Sequence, residues 1–201
     1  LVGYAQLAGR SLEIAASGEA LAPLLEVSAR RPLLVWTHGT RSRLAPMLEA
    51  NGFEQARVLH QLRRSLADPI ASSATPQHID VRPFAVGRDE DEWLRVNSAA
   101  FAEHREQAGW TLADLQAREA EAWFDPAGFL LAWHGGELAG FHWTKIHPDG
   151  VGEVYVLGIA PSAQGTGLGK FLLLQGLAWL RARGCQQALL YVDDSNSTAM
   201  R

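Results

Sequence analysis

A single carboxylate, Glu153, stands in the otherwise apolar run GEVYVLGIA at 152–160, and eleven residues later the chain enters Gln164-Gly165-Thr166-Gly167-Leu168-Gly169-Lys170. An acid in an apolar strand is either a paired edge charge or a general base whose proton affinity is set by burial. Its place just upstream of a glycine loop favours the base. Strand alternation puts Glu153, Tyr155 and Leu157 on one face and Val154, Val156 and Gly158 on the other, so the first three can face a cleft together. The glycines leave backbone N–H groups bare and close to whatever docks there. The leucine-rich stretch GKFLLLQGLAWLRARG that follows adds the positive end of a helix, which together suits a pyrophosphate. The alternative is a glycine turn that merely starts a buried helix.

Two familiar phosphate loops fail by register. A dinucleotide fingerprint needs a third glycine where Lys170 stands, and a P-loop needs glycine at Gln164 and a hydroxyl residue at Phe171. The pattern that fits is Q-x-x-G-x-G, on Gln164, Gly167 and Gly169.

These residues need a frame. HIDVRPFAV alternates as a strand, DEDEWLRVNSAAFAE and TLADLQAREAEAW have helical spacing, and Thr111 with Asp114 three places on forms a helix start. FLLAWH, the turn Gly135-Gly136 and ELAGFHWTKI make a hairpin, and HPDG turns the chain into GEVYVLGIA. Three antiparallel strands result, followed by the loop, a helix ending at Gly184 and the strand QALLYVDD, a parallel crossover. His142 and Trp143 alternate across their strand, so one is expected in the core and the other in the cleft.

A weak internal repeat organises the whole. LVGYAQL at the start is placed like LAGFHWTKI, SLEIAA like GEVYVLGIA, and LLVWTHG like ALLYVDD. The first half has no glycine loop, and after LLVWTHG it continues through a helix ending MLEANGF and a strand RVLHQLRRSL. Comparison of the halves therefore predicts a further ~20–25 residues for the second. ADPIASSATPQ at 67–77 has linker composition, which places a boundary near residue 75: a first domain at 1–75 and a second at 76–201.

The chain has 201 residues, 47% hydrophobic and 20% charged, with a formal net charge of −4. That composition is globular and offers no overall attraction to nucleic acid or an anionic membrane. A single cysteine, Cys185, forms no disulfide framework and reads as a small buried hydrophobe. No run reaches the ~20 apolar residues of a membrane span. A cytoplasmic monomer is expected, with no metal, acting on a small molecule.

The segment VYVLGIAPSAQGTGLGKFLL resembles the acetyl-CoA site of the GCN5-related N-acetyltransferase (GNAT) family, a splayed strand followed by [QR]-x-x-G-x-[GA] at a helix start. The blocks EHREQAGWT, EAWFDPAGFLLAW, GFHWTKIHPDG and LLYVDDSNSTAMR extend the similarity to two-domain actinobacterial members that acetylate the cysteinyl amine of a cysteinyl-glucosaminyl-inositol. The resemblance implies an α/β fold of two tandem acyl-CoA N-acyltransferase domains, each a mixed sheet flanked by helices, the first partial and the second catalytic. It implies Glu153 as the base and acetyl-CoA as donor. Leu157, Gly158 and Ile159 would hold the pantetheine arm and Gln164, Gly165, Thr166, Gly167, Leu168, Gly169 and Lys170 the pyrophosphate. Asn196, Ser197, Thr198, Ala199, Met200 and Arg201 would flank the donor, and Glu106, Lys145 and Tyr191 would contact the amine substrate. Read without the family, Glu106 and Lys145 are surface charges and Tyr191 is core. The family's leaving-group tyrosine would lie beyond Arg201. The same donor site would also serve another small-molecule amine N-acetyltransferase or a noncatalytic acyl-CoA-binding protein.

Overall fold

The structure is a computed structural model that describes residues 3–8, 11–16, 34–37, 44–102, 105–194 and 196. The chain divides into two compact units, residues 1–58 and 59–201.

In the first unit β1 (Gly3–Ala8) pairs antiparallel with β2 (Ser11–Ala16), and β2 pairs parallel with β3 (Leu34–Trp36). Helix α1 (Leu44–Ala50) buries Leu44 and Leu48, one turn apart. It closes at Gly52, φ +80°, where the Phe53 N–H returns to the Leu48 carbonyl.

The second unit is built on a six-stranded sheet in the order β4-β9-β8-β7-β6-β5. Its strands are β4 (Leu59–Ser65), β5 (Ile79–Pro83), β6 (Phe129–His134), β7 (Glu137–Ile146), β8 (Gly152–Ile159) and β9 (Gln187–Asp193). Between β5 and β6 lie α2 (Glu90–Ala100), the single turn α3 (Arg105–Ala108) and α4 (Leu112–Glu119). Between β8 and β9 lies α5 (Leu168–Ala182). The expected hairpins are present. Gly135 and Gly136 both take positive φ, as a two-residue turn between twisted strands requires, and β6, β7 and β8 run antiparallel. The β8-α5-β9 crossover is parallel. Thr111 and Asp114 form the reciprocal capping box that starts α4.

One expectation changes. Strand β4, which the sequence reading ends the first half with, hydrogen-bonds antiparallel along β9 from Leu59–Asp193 to Ser65–Gln187 and so belongs to the sheet of the second unit. The division falls at 58/59, ahead of the polar stretch at 67–77. Composition marks where a chain is free to be loose, whereas the division follows which edge the strand's amides find. The repeat itself has a structural counterpart: β1-β2-β3 and β7-β8-β9 share one pattern, antiparallel then parallel.

The sheet carries a core on each face. Trp93 and Val96 of α2 and Leu115 of α4 pack on Phe129, Leu131, Phe141, Trp143 and Val156. Phe129 stacks on Trp143 at 4.4 Å between ring centroids, and Trp93 meets both edge-on. On the opposite face α5 buries Leu168, Phe171, Leu172, Leu177 and Leu180 at helical spacing. Cys185 is buried there, and burial pushes its thiol up, away from the reactive thiolate.

Helix α5 is keyed to the sheet by a histidine. His142 and Trp143 are both fully buried, one in each core, so neither lines a cleft. The His142 ring lies so close to the helix backbone that a Cβ at Gly176 would sit 2.1 Å from it, and its Nδ1–H donates to the Leu172 carbonyl at 2.7 Å. Burial pulls its pKa from 6.5 down to about 4. The unfolded chain therefore takes up this proton first. The neutral ring contributes in full above about pH 6.5, and its contribution of ~3 kcal/mol is lost as the pH falls toward 4.

We expect His142→Gln, which does not titrate, to flatten unfolding stability between pH 6.5 and 4 relative to the parent, measured by urea denaturation. Gly176→Ala should cost ~2 kcal/mol by forcing ring and helix apart, read as a fall of roughly 4–8 °C in Tm.

Candidate active site

β8 and β9 pair parallel at only two positions, Gly152–Ala188 and Glu153–Leu189. Beyond them β8 keeps its β7 partners as far as Gly140–Ile159, while no bridge to β9 continues. From Val154 to Ile159 one edge of β8 is therefore open in the middle of a sheet. The backbone groups of Leu157, Gly158 and Ile159 on that edge can receive an extended polar chain as a strand would.

The glycine loop stands at the end of this opening. A short 3₁₀ turn, Pro161–Ala163, leads to Gln164, whose amide reaches back to the Ile159 carbonyl, while the Thr166 hydroxyl donates to the Ala163 carbonyl at 2.7 Å. Gly165 and Gly167 take φ +77° and +84°, the left-handed region that suits glycine. Gly167 is the N-cap of α5 and the first helical return is Phe171 N–H to its carbonyl, so the amides of Leu168, Gly169 and Lys170 have no helical acceptor. No side chain caps them, the first turn holds no acid, and Lys170 is exposed beside them. Such an end attracts an anion. Gly169 has ordinary helical backbone, and a Cβ there would meet Ile159 at 3.5 Å, a normal contact.

The opposite end of β8 carries the carboxylate. Glu153 is 7% exposed, and its Oε2 lies 2.7 Å from Nε2 of His147 in the β7–β8 turn. The alternation expected along β8 is broken by a bulge. Trp143 pairs with Val156 but Thr144 pairs with Val154, so Tyr155 is an extra residue with no β7 partner. Glu153 and Tyr155 share a face, with Tyr155 packed on the α2 and α4 core. After the bulge Val156 joins that same core, and Leu157 turns to α5. Leu157 is thus available to the opening through its backbone, not as a third side chain beside Glu153.

Around Glu153 the face is aromatic and basic. Lys145 is its partner across β7, with Nζ 4.6 Å from the Trp123 ring centroid and 5.5 Å from that of Tyr155. Arg118 of α4 donates to the Tyr155 hydroxyl at 3.1 Å and lies over Trp110. Burial pushes the Tyr155 phenol up, against the lowering effect of Arg118. Tyr191 is not core: it is 52% exposed and its hydroxyl accepts from Gln61 of β4. Asn196 donates its backbone N–H to Asp193. Glu106 lies in α3, but its side chain, like residues 197–201, is outside the described residues. A cleft lined by Trp123, Asp125, Thr144, Ile146 and Trp179 opens at the end of β7, and none of the glycine-loop residues 164–170 lines it. His147 is the residue the sequence reading passes over, having taken HPDG as turn alone. The signal for it is its place two residues beyond Lys145, the same side by strand alternation as Lys145, which pairs with Glu153.

An open β8 edge ending in an uncapped, glycine-started helix makes a cleft suited to an extended ligand that carries a pyrophosphate. Residues 92–201 match the Acetyltransferase (GNAT) family, and the chain belongs to it. It is 54% identical over 185 residues to the mycothiol acetyltransferase of Thermomonospora curvata, covering 92% of this chain and 62% of that one. It is 45% identical over 207 residues to that of Thermobispora bispora, covering 100% and 68%. The chain spans roughly three fifths of the first of these relatives. Among solved structures, a GCN5-related N-acetyltransferase from Sphaerobacter thermophilus aligns with a TM-score of 0.80 at 20% identity, covering 98% of this chain and 69% of that one. A tandem GNAT protein from the clavulanic acid biosynthesis pathway aligns with 0.67 at 15%, covering 99% and 73%.

The two glycines separate by conformation. Gly167→Ala forces a left-handed backbone at ~1–2 kcal/mol and should weaken acetyl-CoA binding about tenfold, whereas Gly169→Ala should stay within about twofold, both by calorimetric titration.

Proposed function

We propose that this chain acetylates the cysteinyl amine of a cysteinyl-glucosaminyl-inositol with acetyl-CoA, giving mycothiol and CoA. The observation that carries the reading is the parting of β8 from β9 directly after Glu153, which puts a buried carboxylate at one end of an opening and a bare helix start at the other. The substrate class follows the names of the relatives at 45–54% identity.

Acetyl-CoA brings an activated acyl thioester. The chain's part begins with the pyrophosphate at the amides of Leu168, Gly169 and Lys170 within the loop Gln164–Lys170, and the pantetheine arm along Leu157–Ile159. A β8 N–H there is placed to polarise the acyl carbonyl. Such amines titrate at roughly 7.7–8.0, so near neutral pH a fraction is already neutral and can attack, and Glu153 takes the proton that the nitrogen sheds as its bond to the acyl carbon forms. The amine nitrogen bonds the acyl carbon, the carbon–sulfur bond breaks, and the CoA thiolate leaves and takes a proton from solvent. Lys145, with Trp123 and Tyr155 beneath it, offers a cation and aromatic faces to a polyol, and Glu106 and Tyr191 belong to the same set. Asn196 to Arg201 flank the donor.

The two units read as tandem GNAT-type domains, the first partial. The shared sense of β1-β2-β3 and β7-β8-β9 supports this, as does the likeness to a tandem GNAT structure over 99% of the chain.

Glu153→Gln should lower kcat by about 10²–10⁴ while the acetyl-CoA Kd stays within about twofold. A rate left unchanged would remove Glu153 as the base. A preference for some other amine in a panel would reassign the substrate, and binding of acetyl-CoA without turnover of any amine would leave a noncatalytic acyl-CoA-binding protein.

A further inference from the structure

We infer that His147 is the positioning residue for Glu153: its imidazole holds one carboxylate oxygen so that the other faces the incoming amine. This rests on the reading of Glu153 as the base. A carboxylate buried in an apolar strand needs a partner, and the Nε2–Oε2 contact of 2.7 Å supplies one. With Glu153 ionised, Nε2 carries the proton and donates, leaving Oε1 for the substrate.

The turn is built to keep that ring in place. The His147 N–H donates to the Val151 carbonyl and its own carbonyl accepts from Gly150 N–H, both at 2.9 Å. Asp149 Oδ1 accepts from Val151 N–H at 3.1 Å, and Gly150 takes φ +81° to close the loop. The backbone of His147 is thus tied at both its polar groups, one residue beyond the strand that faces Glu153. Its side chain is 30% exposed against 10% for Glu153, so the ring forms the solvent side of the pair. Lys145 and Tyr155 are the other polar side chains on this face of β7 and β8, and each is engaged elsewhere, Lys145 over aromatic rings and Tyr155 with Arg118. Among the described residues His147 alone bonds to the carboxylate.

The test uses the intact chain with acetyl-CoA and the cysteinyl-glucosaminyl-inositol amine. His147→Ala should lower kcat about tenfold with the acetyl-CoA Kd unchanged, and His147→Gln, whose amide N–H can reach the same oxygen, should recover to within about threefold of the parent. In a Glu153→Gln background His147→Ala should cause no further loss, because the histidine acts only through that carboxylate. If His147→Ala does not fold, His147→Leu takes its place. The inference is overturned if the alanine or leucine variant keeps the parental kcat, if glutamine is as slow as alanine, or if the two losses multiply. A fully active Glu153→Gln instead overturns the base itself, so the two failures are distinguishable.

Discussion

Two residues of parallel pairing between β8 and β9 hold the site open. Gly152–Ala188 and Glu153–Leu189 are bridged, and then the strands diverge although both continue for several residues. An unpaired strand edge inside a sheet leaves hydrogen-bonding groups that must find partners. The cost is tolerable because it is confined to one edge of β8, whose other edge stays paired with β7 to Ile159. The opening is therefore a constraint of the fold itself, one strand edge whose hydrogen-bonding groups β9 leaves free.

The divergence would be useless if α5 were free to settle elsewhere. His142 and Gly176 prevent that, the ring entering the space where a side chain would be and bonding the Leu172 carbonyl one turn earlier. Because α5 is apolar along its inner face, burial alone would accept more than one sliding position; a ring-to-backbone fit accepts one. The start of the helix, and with it the amides of Leu168 to Lys170, is thereby set against the end of β8.

At the other end of β8 the bulge at Tyr155 does the sorting. One extra residue lets Glu153 and Tyr155 face the α2 and α4 side while Val154 and Leu157 both pack toward α5. The carboxylate thus shares its surface with Lys145, Trp123 and Arg118, and the tight turn at His147–Val151 brings an imidazole to it. Polar chemistry gathers on one face and the crossover helix is left to an apolar one.

The sequence by itself determined the elements and their order. Period-2 and helical spacing, the Gly135-Gly136 turn, the Thr111–Asp114 cap and the glycine register at Gln164–Gly169 are local signals, and local backbone preference suffices to read them. The repeat of three strands and the lone carboxylate at 153 were legible for the same reason. Tertiary structure alone decided the rest. A bulge depends on what the neighbouring strand offers, so strict alternation misplaced Leu157. The partner of β4 depends on which edge lies open, so composition put the boundary at 75 while the strand joined β9. Whether His142 or Tyr191 is core or surface depends on residues distant in sequence, Leu172 and Gln61, and His147 reaches Glu153, six residues on, only because β7 and β8 close into a hairpin. Pairing between segments is a property of the closed fold, and no window along the chain contains it.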